Sequence, residues 1–189
     1  METKNQLRKK ILNIRNNMSE EEATSKSRLI MRRLADLDEY KNSGTVFIYM
    51  SFKNEVMTKE LIEKMLSEDK RVVIPYTDIE NTVIIPSEIR NMDEDLVLSH
   101  YGYYEPVFDK IKTVEPEEFD LIIAPGVVFD RERNRIGFGK GYYDRILCRK
   151  RNDARIVAPA YEFQVLDNVP AESHDIKMDM IVTESNIYR

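Results

Sequence analysis

Apolar residues recur along the chain in two patterns, one helical and one extended. In the first seventeen residues, Leu7, Ile11 and Ile14 fall on one side of a helix. Ser19 with Glu22 three residues later forms a capping-box pattern, which predicts the start of a second helix. The helices predicted for the whole chain cover residues 2–17, 19–37, 58–68 and 141–150.

Short apolar runs rich in β-branched residues lie between these helices. The run FDLIIAP is apolar along nearly its whole length, which is typical of a strand covered on both faces. The predicted strands cover residues 45–50, 71–75, 82–86, 119–125, 155–160 and 179–184. Because strands alternate with helices, we predict an α/β fold: a single three-layer domain over residues 1–189, with a mostly parallel sheet flanked by helices.

Composition restricts the class of protein to which the chain can belong. The chain has 189 residues, 42% hydrophobic and 33% charged, which suits one domain with a sizeable core. No apolar run approaches the ~18 residues of a membrane span, and the charged start METKNQLRKK does not resemble a secretory signal. We therefore expect a cytoplasmic protein that does not bind membranes. The net charge of −5 argues against a nucleic-acid partner, and a monomer is the default expectation.

The cysteine content excludes two kinds of site. Cys148 is the single cysteine, so an internal disulfide and a zinc site made of several cysteines are both excluded. A lone cysteine on a predicted helix is most often a small core residue. We therefore expect the Cys148 thiol to be buried.

The stretch RIGFGKGYYDR, residues 135–145, lies between a predicted buried strand and a predicted helix. It is not a P-loop, because Asn134 stands where that pattern needs its first glycine. It is not the dinucleotide pattern Gly-x-Gly-x-x-Gly, because Tyr142 stands where the last glycine is required. Its glycines nevertheless expose backbone N–H groups at a helix start, and Lys140 and Arg135 add positive charge. This combination predicts a polyphosphate-binding loop.

Three side chains beside the glycines each have two possible roles. Asp144 could offset the dipole of the following helix, or it could bind Mg²⁺, which prefers one or two carboxylates together with phosphate oxygens and water. Tyr142 and Tyr143 could stack on a flat heterocycle, and Tyr143 could equally pack in the core. The residues alone leave these alternatives open.

The segment APGVVFDRERNRIGFGKGYYDRIL, residues 124–147, resembles the central motif of the 5-formyltetrahydrofolate cyclo-ligase family. That motif is specific, whereas the pair Lys4-x-x-x-Arg8 in the first helix would be weak evidence alone. Similar segments extend over nearly the whole chain: YMSFKNEVMT at 49–58, YGYYEP at 101–106, and VPAESHDIKMDMIVTE at 169–184 after Gln164.

The resemblance implies an ATP- and Mg²⁺-dependent ligase that converts 5-formyltetrahydrofolate into 5,10-methenyltetrahydrofolate, ADP and phosphate. In that reaction ATP phosphorylates the formyl oxygen, nitrogen 10 of the folate attacks the activated carbon, and phosphate leaves. Phosphoryl transfer depends mostly on positioning and on neutralising charge. A nucleophilic side chain is therefore not expected.

The resemblance also implies a role for individual residues. Lys140 and Arg135 would be the catalytic cations, and Asp144 and Asp175 would bind Mg²⁺. Glu55 would accept two N–H groups from the amino-pyrimidine edge of the pterin. The implied ATP contacts are Lys4, Arg8, Arg135, Ile136, Gly137, Phe138, Gly139, Lys140, Gly141, Tyr142 and Tyr143. The implied folate contacts are Met50, Glu55, Phe138, Gly139, Lys140, Gly141 and Tyr142.

Several of these residues have ordinary structural interpretations as well. Lys4 and Arg8 are typical of a solvated helix surface, and Glu55 is typical of an exposed loop. Asp179 is the rival of Asp175 as the second metal ligand, although it could simply cap the last strand.

One position departs from the pattern of the family. The family usually has glycine two residues before Arg135, where this chain has Arg133. Because the neighbouring Asn134 tolerates the left-handed region, we expect the turn to form.

Two other functions remain as alternatives. The first is a catalytically inactive protein of the same fold that binds folate or nucleotide, although Lys140, Asp144 and Glu55 are all present. The second, a sugar-phosphate isomerase or acyl-transferase, rests on fold analogy alone and needs an acid–base pair that the sequence does not offer.

Overall fold

The computed structural model describes residues 2–172 and 175–189. None of the helices found there is both long enough and apolar enough to cross a bilayer. The helices are α1 (Lys4–Asn16), α2 (Glu20–Ala35), α3 (Asp38–Lys41), α4 (Lys59–Ser67), α5 (Met92–Asp95) and α6 (Tyr142–Leu147). Short 3₁₀ helices cover Phe108–Lys110, Pro116–Glu118 and Glu162–Gln164. The strands are β1 (Thr45–Ile48), β2 (Arg71–Asp78), β3 (Val83–Ile89), β4 (Leu96–Leu98), β5 (Tyr104–Pro106), β6 (Leu121–Ile123), β7 (Val128–Asp130), β8 (Arg135–Ile136), β9 (Arg155–Pro159), β10 (Val165–Leu166), β11 (Met180–Val182) and β12 (Ile187–Tyr188).

The central sheet has the strand order β12-β11-β9-β6-β1-β2-β3. Its inner strands β11, β9, β6, β1 and β2 run parallel, and the edge strands β12 and β3 are antiparallel to their neighbours. The predicted α/β fold with a mostly parallel sheet is therefore confirmed. All the predicted strands are present, with ends displaced by a few residues.

Successive side chains of the central strands point to opposite faces of the sheet, as the pleat requires. On β1, Val46 and Ile48 pack in a cluster with Ile30 of α2 and Ile62 of α4. Phe47 points the other way and packs with residues that include Ile146 of α6. Helices thus cover both faces of the sheet, and the three-layer prediction is confirmed.

A small second sheet, with the order β10-β7-β8, supports the glycine stretch. Helix α1 covers it, with Leu7 and Ile11 buried against Val128 and Ile136. Strand β8 ends at Ile136, directly before the first glycine of that stretch. Strands of two or three residues are too short to show a period in sequence, which is why this sheet was not predicted.

The helix starts differ in detail from the sequence pattern. The Ser19 hydroxyl accepts the Glu22 N–H at 3.1 Å, as the capping-box pattern predicts. The Glu22 carboxylate instead pairs with Lys26 at 2.7 Å. Helix α1 begins with a complete capping box, in which Thr3 and Gln6 each accept the other's backbone N–H.

Two expectations about the last helix are wrong. Helix α6 spans only Tyr142–Leu147 rather than residues 141–150, since Gly141 before it is left-handed and a turn begins at Cys148. Cys148 follows it and is exposed, not buried in the core. The buried positions of α6 are Ile146 and Leu147, which leave the next residue on the solvent side.

The turn between β7 and β8 forms with Arg133 itself in the left-handed region, at φ +67°. The expected turn is therefore present, but the left-handed residue in it is Arg133 and not Asn134. Asn134 is held instead by the buried carboxylate of Asp130, which accepts its backbone N–H at 2.9 Å and its side-chain amide at 2.9 Å. The same carboxylate accepts the Val169 N–H at 3.0 Å, so this aspartate organises the turn.

Candidate active site

A cleft of about 840 Å³ lies at the carboxyl ends of the central parallel strands. Met50 follows β1 and Pro125 follows β6, and both line it. This is the edge where ligands bind in sheets of this type. The residues to which the resemblance assigned a role all line the cleft, namely Lys4, Arg8, Met50, Glu55, Arg135, Ile136, Gly137, Phe138, Gly139, Lys140, Gly141, Tyr142, Tyr143, Asp144 and Asp175.

The glycine stretch between β8 and α6 forms an open loop at one side of this cleft. Gly139 and Gly141 have φ values of +96° and +66°, which L-residues with a side chain rarely adopt. A β-carbon on Gly139 would lie 3.3 Å from the Arg8 guanidinium. The glycines therefore bring the backbone and a cation close together, which leaves N–H groups accessible to an anionic ligand.

Helix α1 contacts this loop through Arg8. The Arg8 Nε donates to the carbonyl oxygen of Gly137 at 2.8 Å, and the same guanidinium donates to Asn5. Arg8 is therefore part of the cleft wall rather than a solvated surface residue.

Lys4, one turn earlier on the same helix, also lines the cleft. Its ammonium pairs with Asp175 at 2.7 Å and with Glu172 at 3.0 Å. Burial lowers the pKa of Lys4, but the hydrogen bonds and charges of these two carboxylates outweigh it and raise the pKa above its usual value. The N-terminal helix and the C-terminal segment thus meet at the cleft.

Arg135 and Asp144 form an ion pair at the base of the loop. The Arg135 Nη2 donates to Asp144 at 2.5 Å, and Nη1 donates to the Pro125 carbonyl oxygen at 3.2 Å. The Arg135 side chain is 5% exposed, whereas that of Asp144 is 44% exposed. Asp144 can therefore reach solvent and ligands from a position that the buried guanidinium holds.

Lys140 is an exposed cation of the loop. Within residues 2–172 and 175–189, its ammonium has no ion-pair partner. Next to it, Phe138 is also exposed, and the Arg15 guanidinium lies 5.6 Å from the centre of its ring. The loop thus presents a cation and an aromatic face to the cleft.

Glu55 lies at the other side of the cleft and is buried, so its interpretation as an exposed loop acid is wrong. It accepts the Phe52 N–H at 2.9 Å. Burial raises the pKa of Glu55 above its usual value, while the charge of Arg15 and the Phe52 N–H offset part of that effect.

Tyr143 packs between the two core clusters of the sheet and also lines the cleft. Its hydroxyl is buried and has no hydrogen-bond partner among the described residues. Burial raises the pKa of Tyr143, and the nearby Glu55 raises it further. Packing in the core is confirmed for this residue. Tyr142 instead lies under the Arg145 guanidinium, 5.6 Å from its ring centre.

The two carboxylates proposed to bind the metal ion each form an ion pair with a different cation. Asp144 pairs with Arg135, and Asp175 pairs with Lys4, although both line the cleft. The part of the chain that the structure describes contains no group of three or more His, Cys, Asp or Glu residues suited to a metal ion. Asp179 does not line the cleft, since its carboxylate accepts the Ile156 N–H at 2.7 Å and ties β9 to the start of β11.

The cleft also contains residues for which the sequence suggested no role. The rings of Phe52 and Tyr103 meet edge to face at 5.7 Å, and both line the cleft with Thr77 of β2. Phe52 and Tyr103 lie in segments that resemble the family, and this resemblance could have identified them as cleft residues. Thr77 carried none, because a threonine in a strand is ordinary.

Comparisons of the chain with known proteins point to one family. A model of the 5-formyltetrahydrofolate cyclo-ligase family matches residues 1–184. The chain is 32% identical to the probable 5-formyltetrahydrofolate cyclo-ligase of Schizosaccharomyces pombe, over 98% of this chain and 97% of that protein. It is 28% identical to the 5-formyltetrahydrofolate cyclo-ligase of Haemophilus influenzae, over 94% of this chain and 96% of that protein.

Two solved structures are similar over nearly the whole fold. The NMR structure of Aquifex aeolicus 5,10-methenyltetrahydrofolate synthetase matches with a TM-score of 0.85 and 39% identity, covering 98% of this chain and 92% of that chain. The 5,10-methenyltetrahydrofolate synthetase of Mycoplasma pneumoniae matches with a TM-score of 0.77 and 30% identity, covering 96% of this chain and 98% of that chain. The chain therefore belongs to the 5-formyltetrahydrofolate cyclo-ligase family.

Proposed function

We propose that the cleft catalyses the ATP-dependent cyclisation of 5-formyltetrahydrofolate to 5,10-methenyltetrahydrofolate, with release of ADP and phosphate. The observation that carries this proposal is that the residues implied by the family resemblance all line one cleft of about 840 Å³. That volume is at the upper end of the usual range for ligand sites, which leaves room for two substrates. Membership of the family supports the same reaction.

The triphosphate of ATP lies along residues 136–143 in this proposal. The exposed Lys140 supplies an ammonium without a competing carboxylate among the described residues. The glycines supply backbone N–H groups, and Arg135 adds a buried positive charge beneath them. Lys4 and Arg8 lie within the same cleft wall and extend the cationic surface towards the phosphates. Because α6 has only six residues, we assign the binding to the loop and its cations rather than to a helix dipole.

The reduced pterin lies at the opposite side in this proposal. The carboxylate of Glu55 faces the cleft and has two oxygens, of which Oε2 accepts the Phe52 N–H. Such a carboxylate can accept two parallel N–H donors of an amino-pyrimidine edge. Met50 packs against the folate, and Phe138 and Tyr142 offer rings for stacking.

The proposed reaction needs charge neutralisation more than side-chain nucleophilicity. The formyl oxygen attacks the γ-phosphorus, and ADP leaves. Nitrogen 10 then attacks the formyl carbon and loses its proton, and phosphate departs with the former formyl oxygen. Lys140 and Arg135 stabilise the negative charge on the phosphoryl group while it moves between the two oxygens.

The carboxylates fit the requirement for Mg²⁺. This ion usually takes one or two carboxylates and completes its shell with phosphate oxygens and water, so a dense protein cluster is not needed. Asp144 and Asp175 are the carboxylates that we assign, because both line the cleft beside the cations. When bound, the ion would neutralise phosphate charge. Asp179 is excluded from this assignment, since its carboxylate is held by a backbone N–H outside the cleft lining.

One assay tests the proposed reaction. The protein is incubated with Mg-ATP and 5-formyltetrahydrofolate, and the absorbance of the methenyl product is followed. A rise that requires both substrates supports the proposal. Tight binding of both ligands without a rise would instead identify the catalytically inactive binding protein.

Three further assignments accompany this proposal: one domain over the whole chain, a monomer in solution, and a cytoplasmic location. Gel filtration with light scattering measures the mass, and fractionation of cells measures the location. A dimer mass or an organellar fraction would contradict the corresponding assignment.

A further inference from the structure

Arg15 is buried although it is an arginine. It lies in the last turn of α1, and only 4% of its surface is exposed. Arginine side chains are almost never fully buried unless they are paired. Within residues 2–172 and 175–189, however, Arg15 has no ion-pair partner, and its Nε has no hydrogen-bond acceptor. A buried cation without an ion-pair partner in the described part of the chain is unusual, and its surroundings indicate a role for it.

The surroundings of Arg15 link three segments of the cleft wall. Its guanidinium carbon lies 5.6 Å from the centre of the Phe138 ring, in the glycine loop. Its backbone carbonyl accepts the Asn54 side-chain amide at 3.0 Å, next to Glu55 in sequence. Arg15 and Glu55 also line the same small cavity of about 10 Å³, which shares Tyr49 and Pro125 with the main cleft.

Among the groups around the Glu55 carboxylate, the tyrosines are neutral and Arg15 carries the positive charge. Tyr49, directly after β1, is buried, and the hydroxyl of Tyr143 in α6 is buried as well; both are near enough for the Glu55 charge to act on them. Burial raises the pKa of each phenol, and the Glu55 charge raises it further, so both are neutral at ordinary pH. The Tyr161 hydroxyl donates to the backbone carbonyl oxygen of Glu55 at 3.2 Å. The positive charge that acts on Glu55 comes from Arg15.

We propose that Arg15 is a positioning residue for the folate: its buried guanidinium shares a cavity with the Glu55 carboxylate, favours the charged form of that carboxylate, and holds the Phe138 ring against the cleft. This inference rests on the proposed role of Glu55 in pterin recognition. A protonated Glu55 would lose acceptor capacity towards two N–H donors. Arg15 therefore connects the helix that carries Lys4 and Arg8 with the pterin side of the cleft.

The first test needs no ligand. The carboxyl carbon of Glu55 is followed by NMR in protein labelled at glutamate, with Glu55→Gln identifying the signal. In Arg15→Met, which keeps the stem and removes the charge, the pKa of Glu55 rises by about one to three pH units. Arg15→Lys keeps the charge and gives an intermediate value. Lys9→Met, on the exposed side of the same helix, is the matched control and leaves the titration unchanged.

The second test uses the enzyme at work. As pH falls, protonation of Glu55 raises the KM for folate. In Arg15→Met this rise begins at a higher pH, by about one pH unit for each unit by which the NMR titration of Glu55 shifts. The KM for ATP stays within about twofold, the resolution of such assays, because the phosphate-binding cations are retained. A merely structural role would raise both KM values without moving the pH profile.

The outcomes separate this inference from the proposed function. If Glu55→Gln leaves the KM for folate unchanged, the pterin role of Glu55 is wrong, and the NMR titration still decides whether Arg15 acts on Glu55. An equal Glu55 titration in wild type and Arg15→Met overturns the inference. If Arg15→Met does not fold, Glu55→Gln is added to it: restored folding supports a charge pair, and continued failure to fold overturns it.

Discussion

The two sides of the cleft handle charge in opposite ways. On the glycine-loop side, Lys140 and Asp144 are partly or fully exposed, and Asp144 is held in an ion pair with Arg135. On the other side, the Glu55 carboxylate is buried and accepts one backbone N–H. The first arrangement can exchange its partners when an anion arrives. The second is already desolvated before a ligand binds.

This difference has a physical consequence. Exposed charges are stabilised by water and by nearby counter-charges, so they cost the folded state little. A buried carboxylate lowers stability, but it forms stronger charge-assisted hydrogen bonds with a ligand because water does not compete. We therefore expect substitutions on the loop side to affect turnover, and substitutions at Glu55 to affect folate binding and stability together.

Lys140→Ala tests the loop side and has the largest expected effect. Loss of one cation at the moving phosphoryl group reduces kcat/KM for ATP by about 10²–10³-fold, as for other groups that stabilise developing charge. Stability is unchanged, because the side chain is exposed. Steady-state kinetics measure the first effect and urea unfolding the second. Lys9→Ala is the control, and an unaltered ATP dependence in Lys140→Ala would refute the role of Lys140.

Glu55→Gln tests the opposite side. The amide keeps an oxygen for the Phe52 N–H but cannot accept two N–H donors as a charged group. The KM for folate rises by about 10- to 100-fold, the cost of a lost charge-assisted hydrogen bond. The KM for ATP stays near the wild-type value. Glu21→Gln, an exposed position in α2, is the control, and an equal rise in both KM values would contradict the division between the two sides.

Asp144→Asn tests the proposed metal ligand. The amide oxygen still accepts from Arg135, so the fold is retained, whereas the negative charge for Mg²⁺ is lost. The Mg²⁺ concentration for half-maximal turnover rises by about tenfold or more, since even the loss of an outer-shell partner has such an effect on metal affinity. A magnesium titration measures it. Asp109→Asn is the exposed control, and an unchanged titration in Asp144→Asn would remove the metal role from this residue.

The pH dependence of stability distinguishes a buried carboxylate from an exposed one. The folded protein keeps the Glu55 proton at pH values above the usual pKa of 4.5, where the unfolded chain has already lost it. The wild type therefore loses stability, relative to Glu55→Gln, as pH rises from 4.5 to the raised pKa. The slope is at most about 1.4 kcal/mol per pH unit for one proton. Urea unfolding across that range measures the difference, and parallel curves would show that Glu55 is not desolvated.

Arg133→Gly has the smallest expected effect and concerns the turn that carries the glycine loop. Arg133 has φ +67°, which costs an L-residue about 1–2 kcal/mol, whereas glycine adopts it freely. Glycine loses more entropy on folding, so the net gain in unfolding free energy is about 0.5–1 kcal/mol. Arg131→Gly, at the exposed neighbouring position, is the control and loses stability. A loss in Arg133→Gly as well would show that the arginine side chain outweighs the strain.

Much of the cleft could be predicted because its signals are local. The glycine stretch stands out by spacing and charge, and the segments similar to the family name the same residues that line the cleft. The period of apolar residues also predicts the main helices and the strands of the central sheet, since burial on one or two faces leaves a regular pattern. Helix ends and strands of two or three residues are less regular, and there the predictions were incomplete.

Other features depend on contacts between residues distant in sequence. Lys4 meets Asp175 only because α1 and the C-terminal segment pack at the same rim, and no local pattern links them. The burial of Arg15 and Glu55 likewise follows from how α1 packs beside the loop after β1. From the sequence alone, charged residues are predicted to be exposed. Their actual burial depends on neighbours that only folding brings near. Local chemistry therefore identified the glycine loop, and resemblance to the family identified the other residues of the site. Tertiary packing decided which of their charges are paired, exposed or desolvated.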